Sequence, residues 1–219
     1  MGEKEKYLLE IDNKTNAMLK LGKQLTAITP KLGSFDLLLI SMVNRTVNLN
    51  TAFTSLIRAN NFIAAAPLVR INLDSLLRIY ASIICEFDRN AFASKVMRGD
   101  RINKMKLANT KTSLSDFTLV ENLSKVEGME WVPKVYQAGN SFIHFGDTII
   151  HSSQKIVSDE ERTIAMTIGI HDNFISESEK LGSIIWMNKI IDSIILQCQI
   201  WMLEKCKANG FDFDSLNEV

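Results

Sequence analysis

Residues 61–88, NFIAAAPLVRINLDSLLRIYASIICEFD, are mostly apolar and read as a buried helix, yet they carry Arg70, Asp74 and Arg78 at spacing i, i+4, i+8. On a helix of 3.6 residues per turn these three side chains fall within about 80° of one another. They form one polar line on a greasy rod. Charges seldom enter a protein interior without partners. Any fold for this chain must therefore bring complementary groups to that line.

Composition bounds what kind of fold that is. The 219 residues are 46% hydrophobic and 23% charged, with only three prolines and ten glycines. This balance suits one globular domain spanning 1–219, and the scarcity of turn residues favours long helices. Lys+Arg and Asp+Glu are each 25, so the formal charge is zero and a generically basic nucleic-acid binder is not indicated. Cys85, Cys198 and Cys206 are odd in number, far apart and without C-x-x-C spacing. They read as reduced thiols of a cytoplasmic protein. MGEKEKYLLEIDNK lacks an apolar signal core, and Ile184–Leu203 is interrupted by Asn188, Lys189, Asp192, Gln197 and Gln199, so no membrane partner is expected.

Periodicity places a helix over about 4–28, where Tyr7, Leu8, Ile11, Met18, Leu21, Leu25 and Ile28 form a stripe. Thr29-Pro30 and Gly33 end it. A second helix is expected from Ser34 as its cap to Asn60-Asn61, and a third from about 61 with a bend at Pro67. Short helices follow at 90–99 and, capped by Ser115, at 115–126. The stretch between them holds Arg98, Arg101, Lys104, Lys106 and Lys111 and reads as a solvated face or an anion-facing patch. Most of 133–152 reads as helix with weak points at Gly139 and Gly146. The alternation in Thr163–Ile168 after the turn at Ser158–Glu161 predicts a hairpin or extended crossover within 154–170. A long helix over 174–209, capped by Ser176 and stopped by Gly210, precedes a polar tail at 211–219. The class is all-α, a bundle of six to eight helices with the segment 1–33 packed on it.

The three histidines, His144, His151 and His171, lie close together in the chain. If 133–152 is one helix, Asn140, His144, Asp147 and His151 share a face within about 60°, a second polar line. Two such lines in one bundle most economically face each other, which would join Arg70, Asp74 and Arg78 to Asn140, Ser141, His144, Asp147 and His151 in one site. Metal binding is disfavoured, because i, i+7 separates the two imidazoles by about 10.5 Å of helical rise. No cofactor is implied. His144 with Asp147 at i, i+3 suits an oriented general base, or a histidine satisfied by a carboxylate and inert. His171, before Asp172-Asn173, reads as a surface residue.

No P-loop, dinucleotide fingerprint, nucleophile elbow, H-E-x-x-H or zinc-ribbon spacing is present. Gly139-Asn140-Ser141-Phe142-Ile143-His144, however, resembles the R-N-x-x-x-H motif of the HEPN superfamily, with Asn140 and His144 matching and Gly139 at the arginine position. PLVRINLDSLLRIYA followed by SFIHF also looks like a set of bacterial helical proteins placed near that superfamily. The resemblance spans about 35–150. It implies a metal-independent ribonuclease, commonly dimeric, in which histidine shuttles a proton and arginine holds a phosphate bidentately. With Gly139 in the arginine's place, Arg70 or Arg78 would have to supply the cation.

Three functions follow. The first is a non-catalytic module that binds a partner protein or forms a homodimer, its polar seam fixing packing. The second is a HEPN-like ribonuclease with His144, Arg70 and Arg78 catalytic, acting on RNA. The third is a pocket for an anionic small ligand or nucleotide.

Overall fold

The computed structural model describes residues 2–28, 31–144, 146–172 and 174–218, with the backbone alone for Asp147, Asn217 and Glu218. Among these are eight α-helices and one small antiparallel sheet. The helices are α1 (Glu3–Ala27), α2 (Ser34–Arg58), α3 (Phe62–Ile84), α4 (Arg89–Met97), α5 (Asp116–Leu123), α6 (Val132–Ile143), α7 (Asp147–Ser153) and α8 (Glu177–Asn209). Strands β1 (Gln154–Ser158) and β2 (Thr163–Met166) form the hairpin, pairing Gln154 with Met166 and Ile156 with Ile164. The chain is thus an all-α bundle with a short hairpin.

The caps behave as side-chain chemistry dictates. Ser115 accepts the Thr118 N–H to open α5, and Ser176 and Glu179 form a reciprocal box at the start of α8. Gly210 closes α8 in the left-handed region at φ 65°. The α2 cap differs from expectation. It is Gly33, whose N–H is held at 2.7 Å by Asp36, while Ser34 is the first helical residue. α3 runs unbroken through Pro67.

α1, α2, α3 and α8 make the bundle. Arg58 at the end of α2 reaches Glu5 and Asp12 near the start of α1, so these two helices are antiparallel. Lys4 meets Glu177 and Lys14 meets Asp192, so α8 runs alongside α1 in the same direction. Leu8, Ile11, Met18 and Leu25 of α1 pack into a core with Leu39 and Phe53 of α2, Leu73 and Leu77 of α3, and Ile184, Met187 and Ile191 of α8. A layer of amides crosses it. Asn50 donates to Thr15, Asn72 donates to Asn50 and to the Met187 sulfur, and Thr46 donates to Asn72. These amides are thereby satisfied across helices, while the buried Ser75 hydroxyl of α3 has no hydrogen-bond partner among the described residues.

Two buried ion pairs fasten α8 at its ends. Lys205 Nζ lies 2.9 Å from Asp36, whose other oxygen accepts the Trp201 indole N–H at 2.7 Å. At the opposite end Lys180 donates to Asn60 at 2.6 Å and lies 3.8 Å from Asp172. Asp172 in turn accepts the Phe62 N–H at the first turn of α3. α8 is long and apolar enough to cross a membrane by length and composition, but half of its most apolar stretch is buried within the bundle.

The structure corrects two expectations. Residues 133–152 are not one helix: α6 ends at Ile143 and α7 begins at Asp147. The tail is not simply solvated, because 214–218 forms a 3-10 turn, Leu216 is buried, and its carbonyl accepts from Gln24 at 2.6 Å.

Asp36→Ala would strand the Lys205 ammonium inside, with only the Leu25 carbonyl nearby at 3.4 Å. Urea unfolding should show a loss of about 3–5 kcal/mol. Lys205→Met should cost less, because Asp36 keeps the Gly33 and Trp201 N–H groups.

All three cysteines are buried free thiols, and burial pushes the Cys198 thiol up to about 12. The unfolded chain ionises this thiol from pH 9 upward, whereas the folded chain holds it neutral. That contribution is complete below pH 9 and is lost as pH rises towards 12, at about 1 kcal/mol per pH unit. Stability measured from pH 9 to 11 should therefore fall less steeply in Cys198→Ala than in the unaltered protein.

Candidate functional site

The polar line on α3 does acquire partners, and they come from three helices. Ser115 caps α5 and places Asp116 at its first position, beside α3. One Asp116 oxygen accepts from Arg78 at 2.7 Å and the other pairs with Arg70 at 3.4 Å. Asp74 accepts from Arg78 at 2.7 Å and lies 3.5 Å from Arg45 of α2. The result is a chain of alternating charge, Arg70–Asp116–Arg78–Asp74–Arg45, with three cations and two carboxylates. Its inner end is the better buried. The Arg70 side chain is 8% exposed, that of Arg45 45%.

Arg70 is enclosed by α6. Its Nε donates to Asn140 at 3.2 Å, and its guanidinium sits 4.1 Å above the Tyr136 ring. Charge, hydrogen bond and cation–π contact together compensate its removal from water. Gly139 makes this approach feasible. A Cβ there would lie 2.5 Å from the Arg70 Cβ, far inside contact distance. The arginine position of the R-N-x-x-x-H pattern is thus filled by the body of Arg70 coming from another helix.

Of the sequence-predicted site residues, Arg70, Asp74, Arg78 and Asn140 come together, whereas Ser141, His144 and His151 lie elsewhere. α6 runs antiparallel to α3, because Asn140 meets Arg70 while the Phe142 ring packs on Phe62 at 5.5 Å. Continuing along α6 leads towards the start of α3, whereas Arg78 lies two turns beyond Arg70 the other way. His144, at the end of α6, is exposed and remote from Arg78. The expected facing of these two residues is therefore corrected. Ser141 hydrogen-bonds Thr148 and ties α6 to α7 instead of joining the seam. His151 is exposed on α7, next to the hairpin. The Asp147 side chain lies outside the described residues. His171 is exposed, its Nδ1 3.1 Å from the Ala59 carbonyl. Arg98, Arg101, Lys104, Lys106 and Lys111 are likewise exposed.

On the other side of Gly139, α6 and α8 both pack on α3 and leave a groove of about 360 Å³ between them. Its walls are largely apolar, with Phe62, Phe142 and Trp186 its largest side chains. The paired face of Arg70 is turned to Asn140 and Asp116, so the groove meets little of its charge.

No known family model matches the chain, and no curated protein or solved structure matches it.

Sequence reasoning missed Asp116, Arg45 and Tyr136 as seam partners. One signal was available. α3 carries two arginines for one aspartate, so a second carboxylate had to come from another element. The buried lysines were also detectable, since Lys180, Ile184, Met187, Ile191, Cys198, Met202 and Lys205 fall within about 60° on one helical wheel.

Gly139→Ala should destabilise the protein by about 1–3 kcal/mol in chemical unfolding, since the new methyl must force α6 away from Arg70. Gly139→Arg, which writes the R-N-x-x-x-H pattern in full, should be worse.

Proposed function

We propose that this chain is a non-catalytic helical module of the cytoplasm that assembles with a second copy of itself through the β1–β2 hairpin. The observation that carries this reading is the exposure of the hairpin. Ile156, Val157, Ile164 and Met166 of its strands, and Ile168 and Ile170 in the segment just after β2, are each more than half exposed. Large apolar side chains left in water together on one short segment are the usual mark of an interaction site. A lone two-stranded hairpin is marginal in water, and each of its strands has an unpaired edge. Antiparallel pairing of one edge across a two-fold axis makes a four-stranded sheet from two copies, which goes beyond the marginal two-stranded size and pairs one of the two edges of each hairpin. The hairpin tip carries Asp159, Glu160 and Glu161, which disfavours tip-first entry into a lipid surface. Buried reduced thiols at positions 85, 198 and 206 suit a reducing compartment.

The second reading is a HEPN-like ribonuclease. Asn140 hydrogen-bonded to Arg70 favours it, since a guanidinium then stands beside the asparagine of the motif despite Gly139. The pairing of both seam arginines with carboxylates weighs against it, because a phosphate would have to displace Asp116 or Asp74. The same pairing weighs against a nucleotide or anionic ligand in the seam.

Light scattering during size exclusion should show a dimer at about 50 µM, well above the dissociation constant of a standard interface. Ile164→Lys with Met166→Lys should give a monomer with an unchanged helical circular dichroism spectrum. A monomeric parent protein at that concentration would refute the assembly reading. Incubation with tRNA and mRNA should give no cleavage above buffer. Cleavage that disappears in both His144→Ala and Arg78→Ala would establish the ribonuclease instead.

A further inference from the structure

The groove between α6 and α8 has features that packing within the chain does not account for. Its volume of about 360 Å³ falls within the usual range for small-molecule sites. The α8 wall includes Ser178, Gly182 and Trp186 at spacing i, i+4, i+8, with Glu179 and Ser183 beside them. A glycine inside a helix weakens it relative to alanine. At Gly139 the cause of a missing side chain is visible, since Arg70 occupies the space. At Gly182 there is no such cause: nothing lies within 4 Å of where its Cβ would stand. A larger residue at 182 would project into the groove and fill it. The opposite wall is kept low in the same way by Ala66 of α3 and Ala138 of α6.

The rim carries one cation, Lys134, and one carboxylate, Glu179. Lys134 of α6 is exposed, its ammonium is 5.9 Å from the Trp186 ring centre, and among the described residues it pairs with no carboxylate. Glu179 stands on the α8 rim, but its Oε2 is taken by the Ser176 N–H at 2.9 Å and hydroxyl at 2.6 Å. The groove therefore offers an apolar trough with an unpaired cation on its α6 rim and a carboxylate, engaged in capping, on its α8 rim. It is too small for a partner helix, which is about 10 Å across.

We propose that this groove binds a small carboxylate-bearing amphiphile, its apolar body lying along α8 beside Gly182 and its carboxylate facing Lys134. Trp186 forms part of the wall and reports occupancy through its emission. Arg70, enclosed behind Gly139 and already paired, takes no part. This site is separate from the hairpin and does not depend on self-assembly.

Calorimetric titration with decanoate and with decan-1-ol, both below micelle-forming concentrations, tests this assignment. Decanoate should bind the parent protein and alter tryptophan emission, and the emission change should vanish in Trp186→Phe. Gly182→Leu should weaken decanoate at least about tenfold while preserving the helical spectrum. Ala138→Leu, which narrows the groove from the α6 side, should do the same and serves should the first variant fail to fold. Gly182→Ala should retain binding and raise the melting temperature by about 3 °C. Lys134→Gln should weaken decanoate about threefold and leave decan-1-ol unchanged, the size expected of an exposed ion pair. No decanoate binding up to about 1 mM, or unchanged binding in both folded leucine variants, would overturn the site. Equal losses for acid and alcohol in Lys134→Gln would overturn the assignment of the carboxylate.

Discussion

Taking a guanidinium out of water costs several kcal/mol unless its charge and its N–H groups are met by the protein. Arg70 is the most deeply placed cation of the α3 line, and most of the architecture around α3 follows from compensating it. A carboxylate arrives on the first residue of α5, an amide arrives from α6, and an aromatic face arrives from Tyr136. Asp116 is shared with Arg78, so the same carboxylate that neutralises Arg70 also ties in the next turn of α3. The seam therefore helps orient two short helices that also bury apolar residues, Leu119, Val120 and Leu123 of α5 and Val132 and Val135 of α6. Hydrophobic contact alone would hold α5 and α6 against α3 without specifying their rotation or depth. Charge pairing specifies both.

The seam and the groove are two consequences of one close contact. With no side chain at 139, α6 can approach α3 until Arg70 reaches over to Asn140 and Tyr136. The same approach brings α6 beside α8 without closing the space between them, and that space is the groove. A polar, paired region and an open, apolar one thus lie back to back across a single helix.

Much of the fold was legible from local chemistry. Ser115, Ser176 and Gly210 mark helix ends by interactions that span three or four residues, and these lay where the side chains implied. The hairpin followed from alternation and a polar turn. The identity of the α3 line was legible too, because an i, i+4, i+8 set of charges on an apolar helix must be satisfied somehow. What local chemistry could not supply was the identity of distant partners. Asp36 and Lys205 are 169 positions apart, and nothing near either residue names the other. The break between α6 and α7 was missed for a related reason. Phe142, Ile143, Ile149 and Ile150 keep a plausible helical spacing across it, while Gly146 accepts a sharp turn in which any Cβ would strike Ser141. Continuity was inferred from the pattern, and the histidine stripe depended on that continuity.

The two lysines that anchor α8 are 25 residues apart, roughly 37 Å along the helix, and they point to the same side of it. A helix pinned at two distant points on one face cannot slip by a turn or roll about its axis without breaking a buried pair at each end. α8 is in this sense a fixed beam. α6 is different: it is a short element, joined to α7 across a sharp turn and held to α3 by the polar contacts around Arg70 and by apolar contacts such as Phe142 on Phe62. The width of the space between the two helices is consequently set from one side only. Any breathing of that space, to admit or release an occupant, is motion of the α6 wall, and its stiffness is governed by the seam behind it.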